Sequence, residues 1–221
     1  MIPGFTYCYL CKGCKGAYCE NSWLSMSSFG ECITVFSDGE ARLEGVDVRY
    51  PRASPDVGKC SHCGVIQWFG NRVVVAYLPP GETPSSAADV NAERLVEMVG
   101  LTCEDGVAAL RKASARSGRR QRILHRLIWQ GLCDQMDLPG EPSVPAEPVV
   151  GVLRAQSDRL AVDGSDEHRL DAAEIMRNIG NFARCLALLK TEVAEGHRLR
   201  RDAIRDAARR GEQRRVVVMR F

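Results

Sequence analysis

The chain has 221 residues and 24.4 kDa, 45% apolar and 26% charged, a balance that excludes disordered and collagen-like classes. Thirty Lys and Arg against 28 Asp and Glu leave a formal charge of +2, too little to force binding to nucleic acid or to an anionic membrane. No apolar run reaches the ~18 residues of a membrane span, and Met1-Ile2-Pro3-Gly4 has no basic stretch leading into an apolar one, so the expectation is a cytoplasmic chain with no membrane partner.

Residues 1–80 hold seven basic and seven acidic residues and read as strands and turns. Cys32 to Phe36 and Ala41 to Val46 flank Ser37-Asp38-Gly39, and Asp-Gly supplies the positive φ that a tight hairpin turn requires. A second hairpin is expected from Val65 to Phe69, through Gly70-Asn71, to Arg72 to Tyr77. The proline-rich run Leu78-Pro79-Pro80-Gly81-Glu82-Thr83-Pro84 then marks a boundary near residue 80.

The rest reads as helices. Residues 88–138 form one helical segment, in which Thr102-Cys103-Glu104-Asp105 matches a capping box ahead of Val107 to Arg116, with Gly118 as a stop. Ile123, Leu124, Leu127, Ile128 and Leu132 then mark one apolar face. Prolines at 139, 142, 145 and 148 make residues 139–148 an extended linker. Residues 149–221 carry four further helices, Val149 to Ala161, Asp166 to Ile179, Asn181 to Glu195 and His197 to Arg210, the last three closed by Gly180, Gly196 and Gly211. Val216 to Met219 is β-branched and predicts a short C-terminal strand. The fold class is therefore α+β: a small antiparallel β ribbon followed by an α-helical region of helical hairpins.

Seven of the ten cysteines lie within the first 63 residues, several at two-residue gaps, which favours metal ligation over a disulfide framework. A zinc ribbon needs two Cys-x-x-Cys turns, because tetrahedral Zn²⁺ is reached by two pairs of sulfurs converging from separate chain reversals. Cys60-Ser61-His62-Cys63-Gly64 is one such turn. Its partner is either Cys8 to Cys11 or Cys11 to Cys14, so the predicted ligands of one structural zinc are Cys11, Cys60, Cys63 and one of Cys8 or Cys14. His62, inside the turn, points outward on this reading. Cys103, Cys133 and Cys185, isolated on helices, are expected in the core. Cys19 and Cys32 have no evident fourth ligand for a second site.

Cys8 to Cys14, Ser27-Ser28-Phe29-Gly30, Phe36-Ser37-Asp38-Gly39, a proline at Pro51 or Pro55, and Cys60 to Cys63 together resemble uncharacterised bacterial proteins with an N-terminal zinc ribbon followed by tetratricopeptide-like helices. Ala173 to Leu189 is similar to the two helices of one repeat around a Gly-x-aromatic turn, with Cys185 at the small-residue position. The resemblance implies a scaffold or ligand-binding role. One legible repeat cannot bury both of its faces on copies of itself, so the residues from Val90 to Met136 or a second protein must cover it, and the expectation is the second protein.

Three functions compete. Four thiolates close a zinc shell, and no His-Glu pair at helical spacing appears, which favours a non-enzymatic zinc-stabilised adaptor that binds another protein. Nucleic-acid binding is the alternative: residues 111–126 hold seven basic side chains and no acid, Arg119, Arg120, Arg122 and Arg126 among them, and Tyr7, Tyr9, Tyr18, Trp23, Trp68 and Phe69 offer stacking surfaces. A solvated helix face and a small aromatic core explain the same residues. An enzyme ranks third, since His125, His168 and His197 have no nucleophile in sequence range.

Overall fold

The computed structural model describes residues 2–25, 33–36, 41–43, 56–69, 74–78, 96–112, 117–138 and 145–220. The expected Ser37-Asp38-Gly39 turn, the Pro79 to Pro84 break, the linker prolines 139 and 142 and Cys32 lie outside them. Nine strands and six α-helices confirm an α+β protein among these residues.

Two compact units divide the chain: Met1–Gly30 with Pro51–Leu101, and Glu31–Tyr50 with Thr102–Phe221. Residues 33–36 and 41–43 therefore fall in the same unit as the helices. In the first unit β1 (Ile2–Leu10) pairs on one side with β2 (Ala17–Ser25) and on the other with β7 (Val74–Leu78). A second sheet places β5 (Val57–Cys60) between β6 (Ile66–Trp68) and β8 (Met98–Val99). All pairings are antiparallel. The expected hairpin between residues 65 and 77 does not form, because β6 and β7 pair in different sheets. Gly70-Asn71 itself lies outside the described residues, and local turn chemistry does not say which sheet the strand on either side of it joins.

Tyr9 and Tyr18 face each other across β1 and β2, with ring centroids 5.5 Å apart, and Phe69 packs 6.0 Å from Tyr18. These three rings, with Val96 and Met98 against them, are the apolar cluster of this unit among the described residues. Their burial answers the stacking question for Tyr9, Tyr18 and Phe69: they fill a core.

The second unit starts from β3 (Ile33–Phe36), which pairs with β4 (Ala41–Leu43) as the Asp-Gly signal predicts, and on its other edge with β9 (Val217–Arg220). Helices α1 (Cys103–Leu110), α2 (Gly118–Asp137), α3 (Glu147–Asp163), α4 (Asp166–Asn178), α5 (Phe182–Leu188) and α6 (Arg198–Arg209) follow. The capping box forms as read: Asp105 N–H donates to Thr102 Oγ1 at 3.1 Å, and Thr102 N–H donates to Asp105 at 3.3 Å. Gly118 does not stop a helix. It is the first residue of α2, whose cap is Ser117 accepting from Arg120 N–H. Residues 147 and 148, assigned to the linker, form the first turn of α3, where the missing N–H of Pro148 costs nothing.

Gly180 and Gly211 close α4 and α6 in the left-handed conformation as expected. Gly196 does not act as a cap: α5 ends at Leu188, and Gly196 sits in a 3₁₀ turn, Glu195–His197.

Ile128, Trp129, Leu132 and Met136 of α2 pack with Cys103 and Val107 of α1, Val149 and Leu153 of α3 and Ile175 of α4. Leu170, Ala173 and Met176 of α4 pack with Cys185 of α5 and Ile204 and Ala208 of α6. Helix α4 thus contributes to both clusters, with Ile175 in one and Leu170, Ala173 and Met176 in the other. Glu174 and Arg177, fully buried one turn apart on α4, form a two-pronged ion pair at 2.6 and 2.8 Å. Arg177 and Asn178 also donate to the backbone carbonyls of Glu212 and Gln213, and Arg215 reaches back to Asp134 at 2.6 Å and Asp137 at 3.0 Å.

Candidate metal centre

Two chain reversals in the first unit have the same backbone wiring. In one, Cys11 N–H donates to Gly16 C=O at 2.9 Å and Lys15 N–H donates to Cys11 C=O at 3.0 Å. In the other, Cys60 N–H donates to Val65 C=O at 3.0 Å and Gly64 N–H donates to Cys60 C=O at 2.9 Å. Each reversal turns on a left-handed residue directly after its second cysteine, Gly64 with φ of 69° and Lys15 with φ of 60°. A lysine there is unusual, since Cβ disfavours that region.

The turns present Cys11, Cys14, Cys60 and Cys63 to one point, all four sulfurs lying within 4.8 Å of one another. Cys11 Sγ is 3.6 Å from Cys63 Sγ, and Cys14 Sγ is 3.8 Å from Cys60 Sγ. Tetrahedral coordination with metal–sulfur bonds of about 2.3 Å sets sulfur–sulfur edges of about 3.8 Å, so the four thiols can hold a metal ion without rearrangement. The open choice between Cys8 and Cys14 is decided for Cys14. Cys8 lies directly opposite Cys19 on the neighbouring strand, Cα to Cα 4.2 Å, and the two form a disulfide. That pairing takes both Cys8 and Cys19 out of the second metal site weighed for Cys19 and Cys32. The sequence could not separate Cys8 from Cys14, because both gaps are two residues and both are followed by glycine. His62 is exposed and outside the sulfur set, as expected.

The surroundings hold the turns in place. A Cβ on Gly13 would come within 2.8 Å of Cys63 Sγ and 2.7 Å of Val65 Cγ2, so only glycine lets the two turns approach. Buried Gln67 accepts from the Lys12 backbone N–H at 3.0 Å, tying the first turn to β6, and Ser61 exchanges hydrogen bonds with the Glu97 backbone beside β8. Neither Gln67 nor Ser61 stood out in the sequence; only the folded register brings them to the turns. Burial pushes the Cys11 thiol up to about 12, while a hydrogen bond from the Val65 backbone holds Cys63 down at about 7. A bound cation deprotonates even a raised thiol, and the N–H bonds to sulfur spread the resulting negative charge.

Cys103, Cys133 and Cys185 are buried among the helices as expected. Arg119, Arg120, Arg122 and Arg126 all lie on α2 in the second unit. No helix among the described residues is long and apolar enough to cross a membrane. No protein-family model, curated protein or solved structure matches this chain, so its function is argued from its own residues.

Proposed function

We propose that the four thiolates bind one structural Zn²⁺ and that the protein is a non-enzymatic adaptor whose helical unit binds another protein. The observation that carries the zinc reading is the matched pair of turns with sulfur edges of 3.6 and 3.8 Å. Four cysteine ligands leave no coordination position for water or substrate, which favours a metal that serves folding rather than catalysis. Elemental analysis of the purified full chain tests it, with one zinc per chain expected. Iron with a red colour, or no metal, refutes it.

The adaptor reading draws on the resemblance to tetratricopeptide-like helices and on apolar side chains that the unit's own packing leaves out: Leu199 on α6 is 65% exposed and Val162 at the end of α3 is 86% exposed. Phe182 packs against its own core and is a poor probe of docking. The better variant is Leu199→Asp, which should abolish capture of the partner at unchanged zinc content.

A second reading, nucleic-acid binding through Arg119, Arg120, Arg122 and Arg126, keeps one observation: the first turn of α2 has no acidic residue. It predicts affinity that falls by orders of magnitude between about 50 and 200 mM salt, since every phosphate contact releases counterions. A flat salt response in a filter-binding titration removes it.

A further inference from the structure

A cavity of about 400 Å³ lies in the helical unit, walled by α2, α3 and α4, within the size range of metabolite pockets. Its polar lining has two features that the packing of the unit does not explain.

The first is an unmet donor and an unmet acceptor. His125 Nδ1 and Gln156 Oε1 both belong to the lining, and both are buried with no hydrogen-bond partner. His125 Nε2 lies 2.6 Å from the Arg159 guanidinium, which has only protons to give, so Nε2 accepts and the ring proton sits on Nδ1. Burial, with Arg159 beside it, lowers His125 to about 4, in keeping with a neutral ring. A ligand must therefore offer an acceptor to His125 and a donor to Gln156 to satisfy both.

The second is charge. Arg122, Arg126 and Arg159 border the cavity. Its two carboxylates have partners already, Asp163 on His168 at 2.6 Å and Asp171 on Arg200 at 2.5 Å. The cavity also reaches Gly118 at the start of α2, where Gly118-Arg119-Arg120-Gln121-Arg122 puts three arginines and no acid on the positive pole of a 20-residue helix. Cations there oppose the helix dipole, and an anion relieves both. A monocarboxylate brings one charge to this set. A phosphomonoester brings nearly two, and three acceptor oxygens suited to guanidinium forks. Trp129 and Leu160 supply an apolar wall for a carbon skeleton.

We propose that this cavity binds a small organic phosphomonoester bearing a hydroxyl or amino group, its phosphate held by Arg122, Arg126 and Arg159 with His125 Nδ1, and its donor paired with Gln156 Oε1. The test is calorimetry on the full, metal-loaded chain in phosphate-free buffer, with ribose 5-phosphate, inorganic phosphate, ribose and a short single-stranded oligonucleotide as probes. Ribose 5-phosphate should bind at least about tenfold more tightly than inorganic phosphate, and ribose should not bind. Arg126→Gln and Arg159→Gln, both exposed positions, should each weaken ribose 5-phosphate by about tenfold or more with an unchanged thermal melt. In nitrogen-resolved spectra of the wild-type chain, the His125 Nδ1 resonance should shift on saturation, a readout that needs no variant. Equal affinity for inorganic phosphate and the ester, tighter binding of the oligonucleotide, or no binding by any probe would each overturn the proposal.

Discussion

The two units are stabilised by different means. The β unit has a described apolar cluster of three residues, Tyr9, Tyr18 and Phe69, while the helical unit has clusters of ten and eight. At about 1.5–3 kcal/mol for each large side chain fully buried, apolar burial among the described residues contributes more to the helices than to the ribbon. The ribbon instead concentrates its sulfur: four thiols at one point and a disulfide two strands wide. Small β units lacking a deep core commonly depend on such staples.

The widest separation between the units should come from metal removal. Chelation, or Cys60→Ser, should abolish amide protection in residues 1–25 and 56–78 while the far-ultraviolet helical signal persists, since structural zinc contributes on the order of 10 kcal/mol to small folds. Cys133→Ala should leave metal content unchanged. If the helices melt at the same chelator concentration, the contrast between the units is wrong.

The next effect belongs to the helical unit. Glu174→Ala strands the Arg177 guanidinium in a fully buried position and should cost about 3–5 kcal/mol, read as a lower denaturant midpoint. Replacing both, Glu174→Leu with Arg177→Met, should cost less than the single change.

Acid separates the units more gently. His125 is neutral in the fold with its pKa lowered to about 4, below the 6.5 of an unfolded histidine. The unfolded chain therefore binds more protons between those values, so helical stability should be complete above about pH 6.5 and decline as the pH falls towards 4. A stability profile of His125→Asn that keeps the same slope would reassign it to other groups.

The smallest effect is expected in the first turn. Lys15→Gly places the residue suited to φ of 60° there and should stabilise the ribbon of the metal-loaded chain by a few tenths to about 1 kcal/mol, read as a higher chelator concentration at half-loss of amide protection. Gly180→Ala, at φ of 80° and with its new Cβ 2.6 Å from Gln213 Nε2, should lower helical stability by about 1 kcal/mol or more.

What the sequence revealed follows the range of the interactions. Thr102 with Asp105, Gly180, Gly211 and the Cys60 to Cys63 turn act over two to five residues, and each was legible. The choice of Cys14 over Cys8 depends on Cys19 opposite Cys8 in the β1–β2 register, which no spacing rule encodes. Lys15 hid the likeness of the two turns by standing where Gly64 stands in the other. Gly118 misled because glycine punctuates both helix ends. The Glu174–Arg177 pair reads as a solvent-facing i,i+3 pair until α5, α6 and residues 212–213 are packed around it. The cavity and its unmet atoms arise from three helices meeting; of its lining, Gly118, Arg122, His125, Arg126 and His168 stand out in the sequence, each for another reason.

The pairing of β3 with β9 sets an order of events during synthesis. Residues 33–36 are made long before residues 217–220, the strand that completes their sheet. Loop closure over so long a separation is slow, and no local contact can substitute for it. The β3–β4 hairpin must therefore wait, one edge unpaired, while the remainder of the ribbon and all six helices are translated, exposed to pairing with other nascent chains meanwhile. Ribosome-stalled chains ending at Gln213 should be more accessible to protease at residues 33–43 than chains released at full length, and equal cleavage would show that the sheet does not depend on its last strand.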